Sequence, residues 1–325
     1  MDFLESLKQV GFMEACDMNE LVGFCATPVQ QALLQAMADT YKKLIQAGPD
    51  SGAQRIPRIL HQVWIGDDPI PDRLLRYQEK LHKLHPEWEY RLCTTLDGLE
   101  DLGPETQRFV ESAPNVGILS DIMRMLMLHK HGGVYLDLDV ELEKPLDDFA
   151  GYFDFLTSIA PEPLIFNCVC HRSEAVGVSN FLAGARPQHP ILSSYFELVE
   201  ERLKGPENWS ELITPWDSGR HTDLQFIQSF QKTIYYTFFP WEEAVLAAGN
   251  RDGSRDMVLP PTFFCSVKHE GMPLIPRYKQ AREQYLLSHG RPAPECFSRQ
   301  SEAAYGFHRC SGSWIDRDPK ELGVG

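Results

Sequence analysis

The hydrophobic rhythm of the chain changes near residue 56. Before that point Val29, Leu33, Met37, Tyr41 and Leu44 fall on one helical stripe, with Thr27 and Pro28 ahead of them as an N-cap and a proline at the first helical position. Few basic residues beyond Lys42 and Lys43 accompany the stripe, so packing on a main domain explains it better than a membrane-surface role. Gly48-Pro49-Asp50-Ser51-Gly52 reads as a linker. Residues 1–50 thus form an N-terminal helical extension, and 56–325 the main domain.

From Arg58 strands and helices alternate. Ile59, Leu60, Val63, Trp64 and Ile65 make an apolar run closed by Gly66, the pattern of a buried parallel strand. Leu74, Leu75, Gln78, Leu81 and Leu84 follow at helical spacing, and Glu89 to Cys93 reads as a second strand. This βαβ opening predicts an α/β fold with a doubly wound sheet, its ligand lying beyond the carboxyl ends of the strands.

The most informative stretch runs from Ser120 to Asp139. Ser120 reads as the N-cap of a buried helix and Gly132 as its terminator, and Asp121 and Arg124, three apart, share a face. A helix of about 11 residues rises roughly 16 Å. A strand from Val134 to Asp139 spans about 20 Å in return. A tight turn at Gly132-Gly133 therefore brings Asp121, Arg124, Asp137 and Asp139 to one edge of the sheet. Two carboxylates at alternate strand positions there suit a hard divalent cation that completes its shell with water or phosphate.

Charge and cysteine usage narrow the field. With 46 acidic against 31 basic residues the net charge is -15, which argues against a protein that holds nucleic acid by neutralising phosphates. Eight cysteines follow no regular framework, as expected of reduced thiols in a cytoplasmic setting. The N-terminus lacks the basic and apolar regions of a secretory signal, and no uncharged apolar run approaches a membrane span of roughly 18 residues. A soluble cytoplasmic protein is the expectation, and export by a route without a signal peptide remains compatible with it. Cys168, Cys170 and His171 have no second metal-binding arm and read as structural.

Three motifs in order carry a resemblance: the run from Ile56 to Gly66, the Ser-Asp-x-x-Arg helix, and Gly-Gly-x-Tyr-x-Asp-x-Asp. Together they resemble glycosyltransferase family 32 and the related glucosylating toxins of clostridia, closely over Ile56 to Leu146 and again from His308 to Trp314. The resemblance implies a Rossmann-like GT-A fold, a divalent metal (Mn²⁺, or Mg²⁺), a nucleotide-sugar donor and retention of anomeric configuration. It assigns Trp64 to the nucleobase, and Asp121 and Arg124 to hydroxyls of the transferred sugar. Asp137 would hold the ribose and the donor sugar, and Asp139 the metal. Ser120 and Asn180 would lie near the donor. His308 would complete the metal site, or Arg309 would instead supply a cationic contact there, with Ser313 and Trp314 at the diphosphate on a tail that closes over the donor. The polar loop from Thr214 to Asp223 would face the acceptor, a glycan or a protein, and the likeness of Trp64-Ile65-Gly66 to the toxins' uridine-binding strand favours UDP.

Two rivals compete. Leu136-Asp137-Leu138-Asp139-Val140 superficially fits the nucleophile strand of a haloacid-dehalogenase-like phosphatase, but that strand belongs near a domain start and leaves the Ser-Asp-x-x-Arg helix unexplained. A catalytically inactive sugar-nucleotide-binding module would have no use for intact carboxylates.

Overall fold

A computed structural model describes residues 28–48, 55–113, 115–159, 177–205, 224–248, 255–260, 263–264 and 304–308. The linker after Gly48, the Cys168/Cys170/His171 group, the 214–223 loop, Arg309, Ser313 and Trp314 lie outside the described residues.

The strands are β1 (Ile59–Val63), β2 (Glu89–Cys93), β3 (Gly133–Leu136), β4 (Val140–Leu142), β5 (Phe155–Ser158), β6 (Leu182–Ala185), β7 (Asp256–Leu259) and β8 (Gly306–His308). The helices are α1 (Pro28–Ala47), α2 (Asp72–Leu84), α3 (Pro104–Glu111), α4 (Val116–His131), α5 (Asp147–Tyr152), α6 (Pro190–Lys204), α7 (Leu224–Thr233) and α8 (Phe239–Ala248). Six strands form one sheet in the order β2-β1-β3-β6-β5-β7, and β4 and β8 form a separate ribbon. The expected α/β architecture is present, with the β1-α2-β2 opening in parallel register from Ile59↔Glu89 to Val63↔Cys93.

The sheet is mixed. β6 runs antiparallel to both β3 and β5, and the other neighbouring pairs are parallel. This reversal matters for the site. An antiparallel strand begins where its parallel neighbours end, so the residues leading into β6 meet the carboxyl end of β3.

The helix ahead of β3 is longer than its sequence suggests. α4 starts at Val116, capped by Asn115, whose side-chain oxygen accepts from the Ile118 N–H at 3.1 Å. Ser120 therefore lies inside the helix and is not its cap; Asn115 is already the better-placed oxygen, and Val116, Ile118 and Leu119 are all buried. The C-terminus is as expected. Gly132 closes α4 at φ 64° and Gly133 follows at φ 104°, both in the region that favours glycine. A Cβ on Gly133 would stand 2.5 Å from the Ile59 carbonyl, so the close approach of β3 to β1 also needs this residue bare.

β3 is shorter than expected. It ends at Leu136, and Asp137 to Asp139 form a turn in which the Val140 N–H donates to the Asp137 carbonyl at 3.0 Å. The two carboxylates thus stand on a turn between two sheets and not at alternate positions of one strand.

α1 packs on the main core through Leu34, Met37, Ala38, Tyr41 and Leu44. The buried stripe is rotated slightly from the one read in sequence, with Leu33 only partly buried, and the Tyr41 ring meets Phe263 edge-on at 6.2 Å. On α2, Leu74 and Leu81 are buried while Leu75 is exposed. Among the described residues no helix is long and apolar enough to cross a membrane.

Candidate active site

The carboxyl end of β3, the interior of α4, the start of β6 and the end of β8 meet at one edge of the sheet. Arg124 is the hub. Its guanidinium lies 3.2 Å from Asp121 Oδ1 and 3.2 Å from Asp137 Oδ1, and donates to the Asn180 carbonyl at 2.8 Å and the Ser120 carbonyl at 3.2 Å. It also sits 4.7 Å over the Tyr135 ring, a cation–π contact. Only 7% of Arg124 and of Asp121 is exposed, so both charges have left water and depend on this partnering.

Electrostatics follow from the burial. Desolvation pushes the Asp121 pKa up against the opposing pull of Arg124 and of the Thr237 hydroxyl. Burial alone would lower the Arg124 pKa, but Asp137, Tyr135 and Asp121 more than offset it and the net direction is upward. Arg124 is therefore a fixed cation. The Tyr135 phenol, held neutral chiefly by burial, donates to Asp137 Oδ1 at 2.6 Å.

Asn180 turns its amide to Asp121 Oδ1 at 3.0 Å, and the Asp137 N–H donates to the Phe181 carbonyl at 2.9 Å. These two contacts are what the reversed strand β6 supplies. Phe181 also stacks on the His308 imidazole, with centroids 4.2 Å apart and planes 20° from parallel. His308 ends β8, whose pairing with β4 in the register Val140↔His308 sets it beside the Asp-Leu-Asp turn.

His308 Nε2 is 3.3 Å from Asp139 Oδ1 and 3.8 Å from Asp137 Oδ2. One ligand atom from each of Asp137, Asp139 and His308 lies within 4.8 Å of the others. Asp121 and Asp137 meet the single guanidinium and Asp139 stands beside His308, so carboxylates outnumber the fixed cation in this cluster. Two carboxylates and an imidazole are a donor set that would fit a divalent ion accepting both oxygen and nitrogen.

The structure brings Asp121, Arg124, Asp137, Asp139, Asn180 and His308 together at this edge. Ser120 reaches the cluster only through its carbonyl on Arg124. Trp64 stands just past β1 and is 7% exposed, packed with Leu74 and Leu138, its indole N–H donating to the Asp68 carbonyl at 2.7 Å. Tyr135, Phe181 and Thr237 were not singled out by sequence. Tyr135 lay in plain view inside the Gly-Gly-x-Tyr-x-Asp-x-Asp motif, whereas nothing around Phe181 or Thr237 marks them.

Residues 71–156 match the family model described as glycosyltransferase sugar-binding region containing DXD motif. The match covers about a quarter of the chain. That region includes Asp121, Arg124, Asp137 and Asp139, while Trp64, Asn180 and His308 lie outside the matched residues. Among curated relatives, inositol phosphoceramide mannosyltransferase 2 of Schizosaccharomyces pombe is 30% identical over 165 residues, covering 50% of this chain and 42% of that protein. A mannosyl phosphorylinositol ceramide synthase of Saccharomyces cerevisiae is 31% identical over 141 residues, covering 42% of this chain and 33% of that protein. The chain thus spans less than half the length of these two relatives. Among solved structures, the PaToxG glycosyltransferase aligns over 91% of this chain and 97% of its own, at a TM-score of 0.41 and 13% identity.

Proposed function

We propose that the chain transfers a hexose from a nucleotide sugar to a hydroxyl acceptor, with Asp137, Asp139 and His308 holding a divalent cation. The observation that carries this reading is the convergence of that triad with the buried Asp121–Arg124 pair at one sheet edge. When bound, the cation stabilises negative charge on the departing diphosphate.

In this reading the protein's own groups do the positioning. Asp121 accepts from hydroxyls of the sugar, and Arg124 fixes Asp121 and Asp137 relative to each other. Asp137, oriented by the Tyr135 phenol, reaches the ribose and the sugar. Asn180 holds Asp121 from the β6 side. The donor base stacks on Trp64 at the end of β1. Among the described residues of the cluster each carboxylate already has a binding role in this reading and none is left as a nucleophile, so transfer on one face of the sugar, with retention of configuration, is the proposed course. The acceptor is a neutral glycan or a basic protein patch, since an acidic chain repels an anionic polymer. The scatter of cysteines points the reaction to a reducing, cytoplasmic compartment.

The donor has two readings. The likeness of Trp64-Ile65-Gly66 to a uridine-binding strand favours a UDP-hexose. The mannosyl transfer named in the relatives favours GDP-mannose. Hydrolysis of a panel of nucleotide sugars with Mn²⁺, read as released nucleotide without acceptor, decides between them. Fastest release from a UDP-hexose supports the first and from GDP-mannose the second, and no binding or hydrolysis of any donor would sink the enzymatic reading.

A further inference from the structure

We infer that Thr237 is a positioning residue for the proposed sugar-binding carboxylate, and that it leaves one acceptor site on Asp121 Oδ2 as the place for a sugar hydroxyl. The inference deepens the functional reading above and rests on it.

α7 does not pass directly into α8. Between them Ile234–Phe238 forms a π-helical turn, in which the Phe239 N–H reaches back five residues to the Ile234 carbonyl. Ser229, Thr233 and Thr237 are spaced by four. In a regular α-helix such positions drift by about 40° at each step, so the third would turn well away from the first. A π turn takes more residues to complete a circle, and so swings Thr237 back towards the face that Ser229 and Thr233 present.

That face meets α4 at two points. The Asn115 amide, besides capping α4, donates to the Ser229 carbonyl at 3.0 Å and to Thr233 Oγ1 at 2.9 Å. One and a half turns further along α4, Thr237 Oγ1 lies 2.6 Å from Asp121 Oδ2. Asn115 thus fixes the register of the two helices, and the π turn delivers the hydroxyl. Thr237 is 1% exposed, so water does not stand in for it.

The acceptor count on Asp121 gives the hydroxyl its role. A carboxylate offers two acceptor sites on each oxygen. Oδ1 faces two donors, Arg124 Nη2 at 3.2 Å and Asn180 Nδ2 at 3.0 Å. Oδ2 faces one, Thr237. The second site on Oδ2 is the unfilled one among these contacts, and Thr237 sets the rotation that aims it. The Thr237 proton is shared with the Thr233 carbonyl, also 2.6 Å away, so Asp121 is held without being saturated.

The test uses the full chain with Mn²⁺ and the nucleotide sugar that the panel selects. In Thr237→Val, kcat/KM for donor hydrolysis should fall about 10- to 100-fold, the scale of one hydrogen bond to a charged group. Affinity for the matching nucleoside diphosphate alone should stay at the wild-type value, because that ligand carries no sugar. Thr237→Ser should restore hydrolysis. If the valine variant does not fold, Thr237→Ala against Thr237→Ser isolates the same hydroxyl. A folded valine or alanine variant with wild-type kcat/KM overturns the inference, as does a parallel loss of diphosphate and sugar-nucleotide binding in the serine variant. A wild-type chain inert towards every donor sinks the functional reading itself, so the two failures are told apart.

Discussion

Arg124 Nη1 and Asp137 Oδ1 lie 3.2 Å apart, yet they reach this point from opposite limbs of a glycine turn. Arg124 stands two helical turns before Gly132, about 12 Å along α4. Asp137 stands five residues after it, about 16 Å along an extended chain. Both limbs are short and run back along each other, which lets a local sequence motif build this ion pair.

Arg124→Met should expose the cost of that pair. Removing the guanidinium leaves the buried Asp121 and the half-buried Asp137 without their counter-ion, and breaking a buried pair costs about 3–5 kcal/mol. Denaturant unfolding should show a loss of that order. A change below about 1 kcal/mol, the scale of a surface ion pair, would mean that Arg124 contributes no such compensation.

Metal binding should depend on Asp139. Asp139→Asn is expected to weaken Mn²⁺ binding at least tenfold, as loss of a ligand or of its immediate support does elsewhere. Calorimetry or Mn²⁺ paramagnetic resonance on the folded chain reads this without any turnover. His308→Ala should weaken binding as well. Unchanged affinity in both variants, or wild-type hydrolysis undiminished by exhaustive chelation, would remove the triad from the site.

Trp64 separates two roles that one substitution can distinguish. As a buried ring packed with Leu74 and Leu138, its loss in Trp64→Ala should cost about 3–5 kcal/mol of stability. As a base platform it should also weaken nucleotide binding, by roughly the 0.5–1.5 kcal/mol of a stacked aromatic pair. Unaltered nucleotide affinity in the folded variant would leave Trp64 with the core role alone.

His61 supplies a pH signature away from the site. Burial of this β1 side chain, only partly opposed by its hydrogen bond to the Gly132 carbonyl, lowers its pKa from 6.5 to about 4. The folded chain prefers the neutral ring, so the unfolded chain binds more protons between those values. Stability from this group is therefore complete above about pH 6.5 and is lost as pH falls towards 4, by up to ~3 kcal/mol. Denaturant titrations of wild type and His61→Gln should converge in slope only if His61 is not responsible. A flatter acid limb in the variant is the expected result.

The parts legible in the sequence are those that local pattern dictates. β2 spans Glu89 to Cys93 as expected, Gly132 ends α4, and the Asp121–Arg124 face turns to the Asp-Leu-Asp segment. The parts that were not legible depend on partners far along the chain. Asn115 displaces Ser120 as the cap because Ser229 and Thr233 hold its amide from α7 and its end. The strand stops at Leu136 because the Val140 N–H bonds back to the Asp137 carbonyl and the chain turns into a second sheet. Thr237 had no signal at all, since a π turn in the middle of an apolar helix changes its facing without changing its composition.

The two-stranded ribbon also sets an order of events. β4 follows the Asp-Leu-Asp turn at once, but its partner β8 lies far later in the chain, and Val140 pairs with His308 itself. Closing so long a loop costs entropy before its contacts compensate, which places it late among the steps of folding. The Asp121–Arg124–Asp137 cluster forms within one local hairpin of helix and strand and has no such delay. The Asp121–Arg124–Asp137 contacts are thus expected early and the approach of His308 to Asp139 late, so a chain that has collapsed but not yet docked its β8 segment would hold the first without the second.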